Sequence, residues 1–136
     1  MDDNEIKHAR RDYTAWLHEQ NFTEDFVKAV SRNGADQVSF PPEVEAVGVG
    51  PSKIAGMGII AKRNIKAGEW LAPARVGPMR TPAGSGTNHA PNANAKAVKA
   101  TGGDLYMVAS RDIPAGDEVT VNYRQVGMVN GWGRVS

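Results

Sequence analysis

Ala109-Ser110-Arg111-Asp112-Ile113-Pro114-Ala115-Gly116-Asp117 repeats an earlier stretch, Ala61-Lys62-Arg63-Asn64-Ile65-Lys66-Ala67-Gly68-Glu69. Each copy follows an apolar run and precedes another. The shared Ile-x-Ala-Gly-acid segment reads as a turn, in which isoleucine anchors the core and glycine permits positive φ. Two copies predict a pseudo-symmetric pair of hairpin-like units, an arrangement that speaks for a fold more than for an activity. Outward from the repeat, period-two and β-branched runs predict strands at 44–49, 58–61, 70–72, 105–109 and 118–121. Gly and Pro punctuate the connections. Residues 73–104 show little regular pattern, and in a compact domain such a stretch is functional or wrapped tightly around something.

Residues 4–33 have a different character. Ile6, Ala9, Tyr13, Trp16 and Leu17 recur at helical spacing. A break is expected near Asn21. Thr23 can cap a second helix, with Glu24 and Asp25 at its positive dipole end. Phe22, Phe26, Val27 and Val30 continue the apolar pattern, and Asn33-Gly34 is a stop signal. Such a helical pair covers a sheet edge or face, or binds a partner. The expected division is a helical segment over 1–40, a β domain over 41–124 and a tail over 125–136.

The chain has 136 residues, enough for one domain with a core that needs no disulfide staples. It has no cysteine, which removes disulfides, thiolate zinc sites and a cysteine nucleophile, and fits a reducing, intracellular setting. The formal net charge is +1 with acids and bases interspersed, so bulk electrostatics do not favour nucleic-acid binding. No apolar run reaches membrane-spanning length. The acidic start Met1-Asp2-Asp3-Asn4-Glu5 does not read as a secretory signal. Asn21-Phe22-Thr23 matches the glycosylation pattern, but Thr23 has the better role as a cap. His8, His18 and His89 do not form a metal-ligand spacing, and no metal is expected.

Three further motifs lie in order along the β region. Gly56-Met57-Gly58-Ile59-Ile60-Ala61 has the glycine spacing of a dinucleotide fingerprint. That fingerprint needs a following helix, and the β-branched residues here continue a strand. Asn88-His89-Ala90-Pro91-Asn92-Ala93-Asn94-Ala95 is the second, and Gly116-Asp117-Glu118-Val119-Thr120-Val121-Asn122-Tyr123 the third. Taken singly they also read as a Gly-rich β-turn, a polar turn and a core tyrosine closing a hairpin. His89 alone reads more readily as a hydrogen-bonded structural histidine than as a base or ligand.

Together, from about Glu45 to Arg124, they resemble the SET domain, the knotted β fold of protein lysine methyltransferases. Ser52–Ala61 is similar to the first SET motif. The second is similar to N-H-S-x-x-P-N-A: Asn88, His89 and Asn94 match without a gap, with Ala90 for serine and Ala93 for proline. Pro91-Asn92 is the alternative P-N pair, two residues early. The third is similar to G-E-E-x-x-x-x-Y, with Asp117 for the first glutamate.

The resemblance implies a mainly β fold, a β-clip with pseudoknot-like C-terminal threading, beside the N-terminal helical pair. It implies S-adenosylmethionine-dependent N-methylation of a lysine in a protein or peptide. Tyr123 would be catalytic, and Met57, Gly58, Asn88, His89, Asn94 and Tyr123 would surround the cofactor. Trp132 would be an aromatic lid at the substrate channel, or else a surface anchor. The protein would act as a monomer or homodimer, without nucleic acid or membrane, inside a cell (cytoplasmic, or in the host if viral). There are departures. Only seventeen residues separate Trp70 from Asn88, with no aromatic residue among them. Many SET enzymes carry a second channel tyrosine there. Ser85 stands where an arginine is often found. Such a short form resembles viral and bacterial SET proteins. A non-catalytic β-clip interaction module, and a sugar- or small-acid-binding β-clip domain, are the competing readings.

Overall fold

The computed structural model describes residues 2–32 and 37–130, so Asn33-Gly34 and Trp132 lie outside the described residues. Helix α1 (Asp3–Gln20) opens on a capping box, in which Asp2 accepts the Glu5 N–H and the Glu5 carboxylate accepts the Asp2 N–H. It ends at Asn21, whose φ of 57° is one that asparagine tolerates. Helix α2 (Glu24–Arg32) follows, with Thr23 Oγ1 accepting the Phe26 N–H at 3.1 Å. The helical pair expected over 4–33 is thus present, with its break at Asn21 and Thr23 at the start of the second helix. Ala9, Trp16 and Leu17 are the buried face of α1.

Among the described residues, eight strands make two four-stranded sheets. β1 (Val47–Pro51), β2 (Met57–Ala61), β8 (Glu118–Val121) and β5 (Asn88–His89) form one, in the order β1-β2-β8-β5. β4 (Met79–Arg80), β3 (Trp70–Val76), β7 (Leu105–Ala109) and β6 (Ala95–Lys99) form the other, in the order β4-β3-β7-β6. Ile59, Leu71, Met107, Val119 and Val121 belong to one buried apolar cluster. β8 pairs antiparallel with β2 and parallel with β5, so the C-terminal strand threads between segments far apart in sequence. Val119, Thr120 and Val121 are all at most 5% exposed, as befits a strand covered on both faces.

The repeat closes on itself. Ile65 and Ile113 exchange backbone hydrogen bonds at 2.8 and 2.9 Å and are 2% and 1% exposed. Asn64 Oδ1 accepts from Ala115 N, and Asp112 Oδ1 accepts from Ala67 N, both at 2.9 Å. Gly68 and Gly116 sit at φ 88° and 89°, where a side chain would be strained. Each Asn or Asp of one copy therefore satisfies the turn of the other.

Several elements lie where the local pattern does not announce them. Residues 73–104 hold β4, β5, β6 and the short helix α3 (Pro82–Gly86). Residues 125–130, expected in a tail, continue helix α4 (Tyr123–Asn130), and Val126 and Val129 pack against the core.

Candidate functional site

The crossing of β5 and β8 brings the second and third motifs together. Ala90 N–H donates to Val121 O at 3.1 Å. The Tyr123 N–H donates to His89 Nδ1 at 2.9 Å. A backbone N–H can only donate, so Nδ1 must carry a lone pair and the proton sits on Nε2. Nε2 in turn lies 2.6 Å from Asp12 Oδ2. His89 is a neutral imidazole fixed between α1 and the start of α4. Burial lowers its pKa, against the opposing pull of Asp12.

Asp12 is shared. Arg124 reaches its Oδ2 through Nη1 at 2.7 Å and holds Glu19 through Nη2 at 2.6 Å. Burial works against ionisation of Asp12, but hydrogen bonds from Arg124 and His89 outweigh it and hold the carboxyl below its ordinary value. On the other side, Arg10 Nε donates to Ile54 O at 2.8 Å and Nη2 to Lys53 O at 3.2 Å. Helix α1 is thus pinned to the Asn-His turn, to α4 and to the loop before β2.

These pKa shifts fix a pH response. The folded state keeps His89 neutral while the unfolded chain protonates it, so stability is full above the unfolded value of about 6.5 and falls as pH drops through it. Asp12, depressed in the folded state, adds a further loss on acidification below its ordinary 3.8. The thermal midpoint is expected to begin falling near pH 6.5. His89→Asn should remove that first phase and leave the carboxylate phase, as pH-dependent calorimetry would read.

Tyr123 Oη donates to Thr87 O at 2.8 Å. Tyr13 and Trp16 meet its ring edge-on, at centroid distances of 6.0 and 5.0 Å. Burial pushes the phenol far above its usual range, so it stays protonated at any working pH. It is a neutral donor with lone pairs to spare, not a general base.

Asn88 turns into a polar cluster. Its Nδ2 lies 2.8 Å from Glu118 Oε2, 3.0 Å from Ser52 Oγ and 3.1 Å from Ala55 O. Ser52 Oγ donates to Glu118 Oε1 at 2.6 Å and accepts the Ile54 N–H at 2.9 Å. Gly58 makes room for this: a Cβ there would lie 2.5 Å from Glu118 Oε2 and 3.1 Å from Asn88 Nδ2. Any side chain at the first motif's glycine would therefore force the Glu118 and Asn88 side chains of the other two motifs to shift. Asn94 sits apart from this group. Its amide donates to Glu118 O and accepts from Thr120 N, both at 2.9 Å, acting as one more backbone unit beside β8.

Two cavities flank Tyr123. One, of about 430 Å³, is lined by Met57, Asn88, His89 and Tyr123 together with Arg10 and Tyr13 of α1. The other, of about 610 Å³, is walled by apolar residues including Leu105, Met107 and Val121, and roofed by Trp16, Phe22 and Phe26. They share Val27, Ser85, Thr87 and Tyr123. Four of the residues singled out in the sequence therefore meet at one cavity. Gly58 lies just behind Asn88, and Asn94 lines neither cavity. Ser52 and Glu118 lie inside the first and third motifs, whose reading gives them no role, and Thr87, Asp12 and the α1–α2 aromatics lie outside all three motifs. Only the aromatics carried a signal, since Tyr13, Trp16, Phe22 and Phe26 are crowded into one short segment.

A two-sheet β domain threaded by its own C-terminal strand, with paired cavities meeting at a tyrosine, defines a class. Residues 76–124 match the SET domain family profile. The β-rich body of this chain has the SET fold. Comparison with curated proteins by sequence gives no match. Among solved structures, an inhibitor-bound humanized mutant of the Chaetomium thermophilum Polycomb Repressive Complex 2 is 19% identical, with TM-score 0.51. The match covers 59% of this chain and 15% of that one. The same complex in an autoinhibited conformation bound to S-adenosylmethionine is 19% identical over the same shares, with TM-score 0.49. A Plasmodium falciparum protein described as a candidate histone methyltransferase is 18% identical, with TM-score 0.47, over 58% of this chain and 93% of that one.

Proposed function

We propose that this protein is an S-adenosylmethionine-dependent methyltransferase that acts on a lysine amine of a protein or peptide. One observation carries the reading: a cavity edged by Asn88 and His89 and a larger, more apolar cavity share Tyr123 in their walls, and the hydroxyl of that tyrosine is held by Thr87 O, which also belongs to both. The residues fit the donor. The 430 Å³ space is of ligand size, and its wall combines apolar surface with a few convergent polar groups. Met57, Asn88, His89 and Tyr123 would hold it, with Gly58 and the Ser52–Glu118 pair keeping Asn88 in place. Asn94 would contribute through the register of β8. When bound, the donor supplies a methyl group on a positive sulfur.

The chain's own work is alignment and desolvation. The 610 Å³ cavity would receive the lysine stem. Its lining carries Arg75 and Arg80 and, among the described residues, no carboxylate. An apolar wall with cations nearby favours the neutral amine over an ammonium whose ordinary pKa is about 10.4. The Tyr123 hydroxyl, held by Thr87 O, would fix the line from nitrogen to methyl. Positioning of this kind is worth roughly 7–11 kcal/mol in well-oriented systems. Trp16, Phe22 and Phe26 would supply the aromatic wall that the short 70–88 interval lacks.

S-adenosylhomocysteine tests the first half of this. At a hundredfold excess over its Kd, a ligand of the folded state adds about 2.7 kcal/mol, which should raise the thermal midpoint by several degrees. Mass spectrometry of protein mixtures incubated with the chain and S-adenosylmethionine tests the second half and is expected to show methylated lysine. Binding without methylation would leave a non-catalytic interaction module. No binding overturns the proposal.

A further inference from the structure

The N-terminal helix contributes charge to the donor cavity as well as covering it. Arg10 lines that cavity from α1 and is the one side chain among the described lining residues that is reliably cationic. His89, the other candidate, is held neutral by its Nδ1 acceptor role. Position 85, near the Asn-His turn, offers only a serine hydroxyl, and that hydroxyl donates to Thr81 O at 3.2 Å. The guanidinium is already oriented: Nε and Nη2 grip Ile54 O and Lys53 O, the loop that leads into Gly56-Met57-Gly58. Among the described residues, no hydrogen bond engages Nη1. A fork anchored on one edge, on a residue that lines a cavity, suits a carboxylate. Glu24, from the start of α2, lines the same cavity and gives it one carboxylate of its own.

We propose that Arg10 receives the carboxylate of the ligand's amino-acid end, so that helix α1 is a working wall of the binding site. The assignment rests on the methyl-donor reading above. It is specific to this chain's helix and does not follow from the SET fold alone.

The experiment compares two ligands that share the adenosine and differ in the amino-acid end. S-adenosylhomocysteine carries the carboxylate; 5′-methylthioadenosine lacks it. Calorimetric titration of the full chain and of Arg10→Gln is expected to show S-adenosylhomocysteine weakened by roughly tenfold or more, the scale of a hydrogen bond to a charged group. Methylthioadenosine should bind both proteins alike. Arg10→Lys should recover part of the loss, because it keeps the charge and loses the fork. Equal weakening of both ligands overturns the assignment and makes Arg10 a mere tether of the 53–54 loop. Unchanged binding of both overturns it as well. Wild-type protein that binds neither ligand overturns the methyl-donor reading, and this assignment falls with it.

Discussion

Tyr123→Phe is expected to lower methyl transfer by roughly 10²–10³-fold in kcat, the usual cost of removing one preorganised polar group from a reacting centre. The substitution deletes a single oxygen. It leaves the ring against Tyr13 and Trp16 and leaves the backbone bond from Tyr123 N to His89 Nδ1. Thr87 O loses its donor, so about 1 kcal/mol of stability should go with it. That stability change is far too small to unfold the chain, and S-adenosylhomocysteine should bind the variant nearly as well as wild type. The pattern distinguishes roles. A tyrosine that merely closes the core would show the stability loss and full activity. A tyrosine acting as a base would give a rate that climbs as the phenol ionises. A neutral, buried phenol gives no such limb. Full activity in Tyr123→Phe would remove Tyr123 from the chemistry.

The parts of the fold that were legible are those whose information is local. The Ile-x-Ala-Gly-acid repeat announced two equivalent turns, and Gly68 and Gly116 adopt nearly the same positive φ. β7 and β8 fall where the apolar runs place them, and Asn21 ends α1 as a left-handed cap. The parts that were not legible depend on a partner elsewhere. β5 is two residues long and exists because Asn88 and His89 pair with Thr120 and Val121. β6 alternates buried Ala95 and Ala97 with exposed Lys96 and half-buried Val98, a period-two signal muted because alanine is a weak strand former. α4 begins at Tyr123, inside the last motif, where the tyrosine itself drew the reading away from a helix.

The site shows the same division. Motif spacing pointed to Met57, Asn88, His89 and Tyr123, which line one cavity. It could not give Asp12, because nothing near Asp12 in sequence signals an ion pair with residues 77 and 112 positions away. The N-terminal helices read as a cover, and they are also a wall of both cavities. The interval from Trp70 to Asn88 contributes no aromatic residue to either cavity. Here Trp16, Phe22 and Phe26 come from the first thirty residues of the chain. The helices and the β body therefore depend on one another at the site, through Asp12, Glu19 and Arg10.

Gly84→Ala should be the most damaging small change in the β body. Gly84 lies in α3 with its Cα against the carbonyl of Ala74 in β3, and a methyl group there would overlap that oxygen. Neither side can give way cheaply. Ala74 O already accepts the Thr81 N–H at 3.1 Å, and the Gly84 N–H is bound to Thr81 O at 3.0 Å. Thr81, fully buried, ties the same corner together by donating to Pro73 O and accepting from Ala83 N. Overpacking a tight site costs about 1–3 kcal/mol when side chains can adjust, and here the obstacle is backbone. A loss above about 3 kcal/mol is expected, which for a chain of this length lowers the thermal midpoint by roughly 10 °C or more. The damage should reach the site, because α3 leads directly into Ser85 and Thr87, which line both cavities. Gly86→Ala is the matched control: no atom lies within 4 Å of its added carbon, so its stability should stay within about 0.5 kcal/mol of wild type. If the two variants melt together, α3 does not dock on β3 as described, and the shared wall of the two cavities would have to be built some other way.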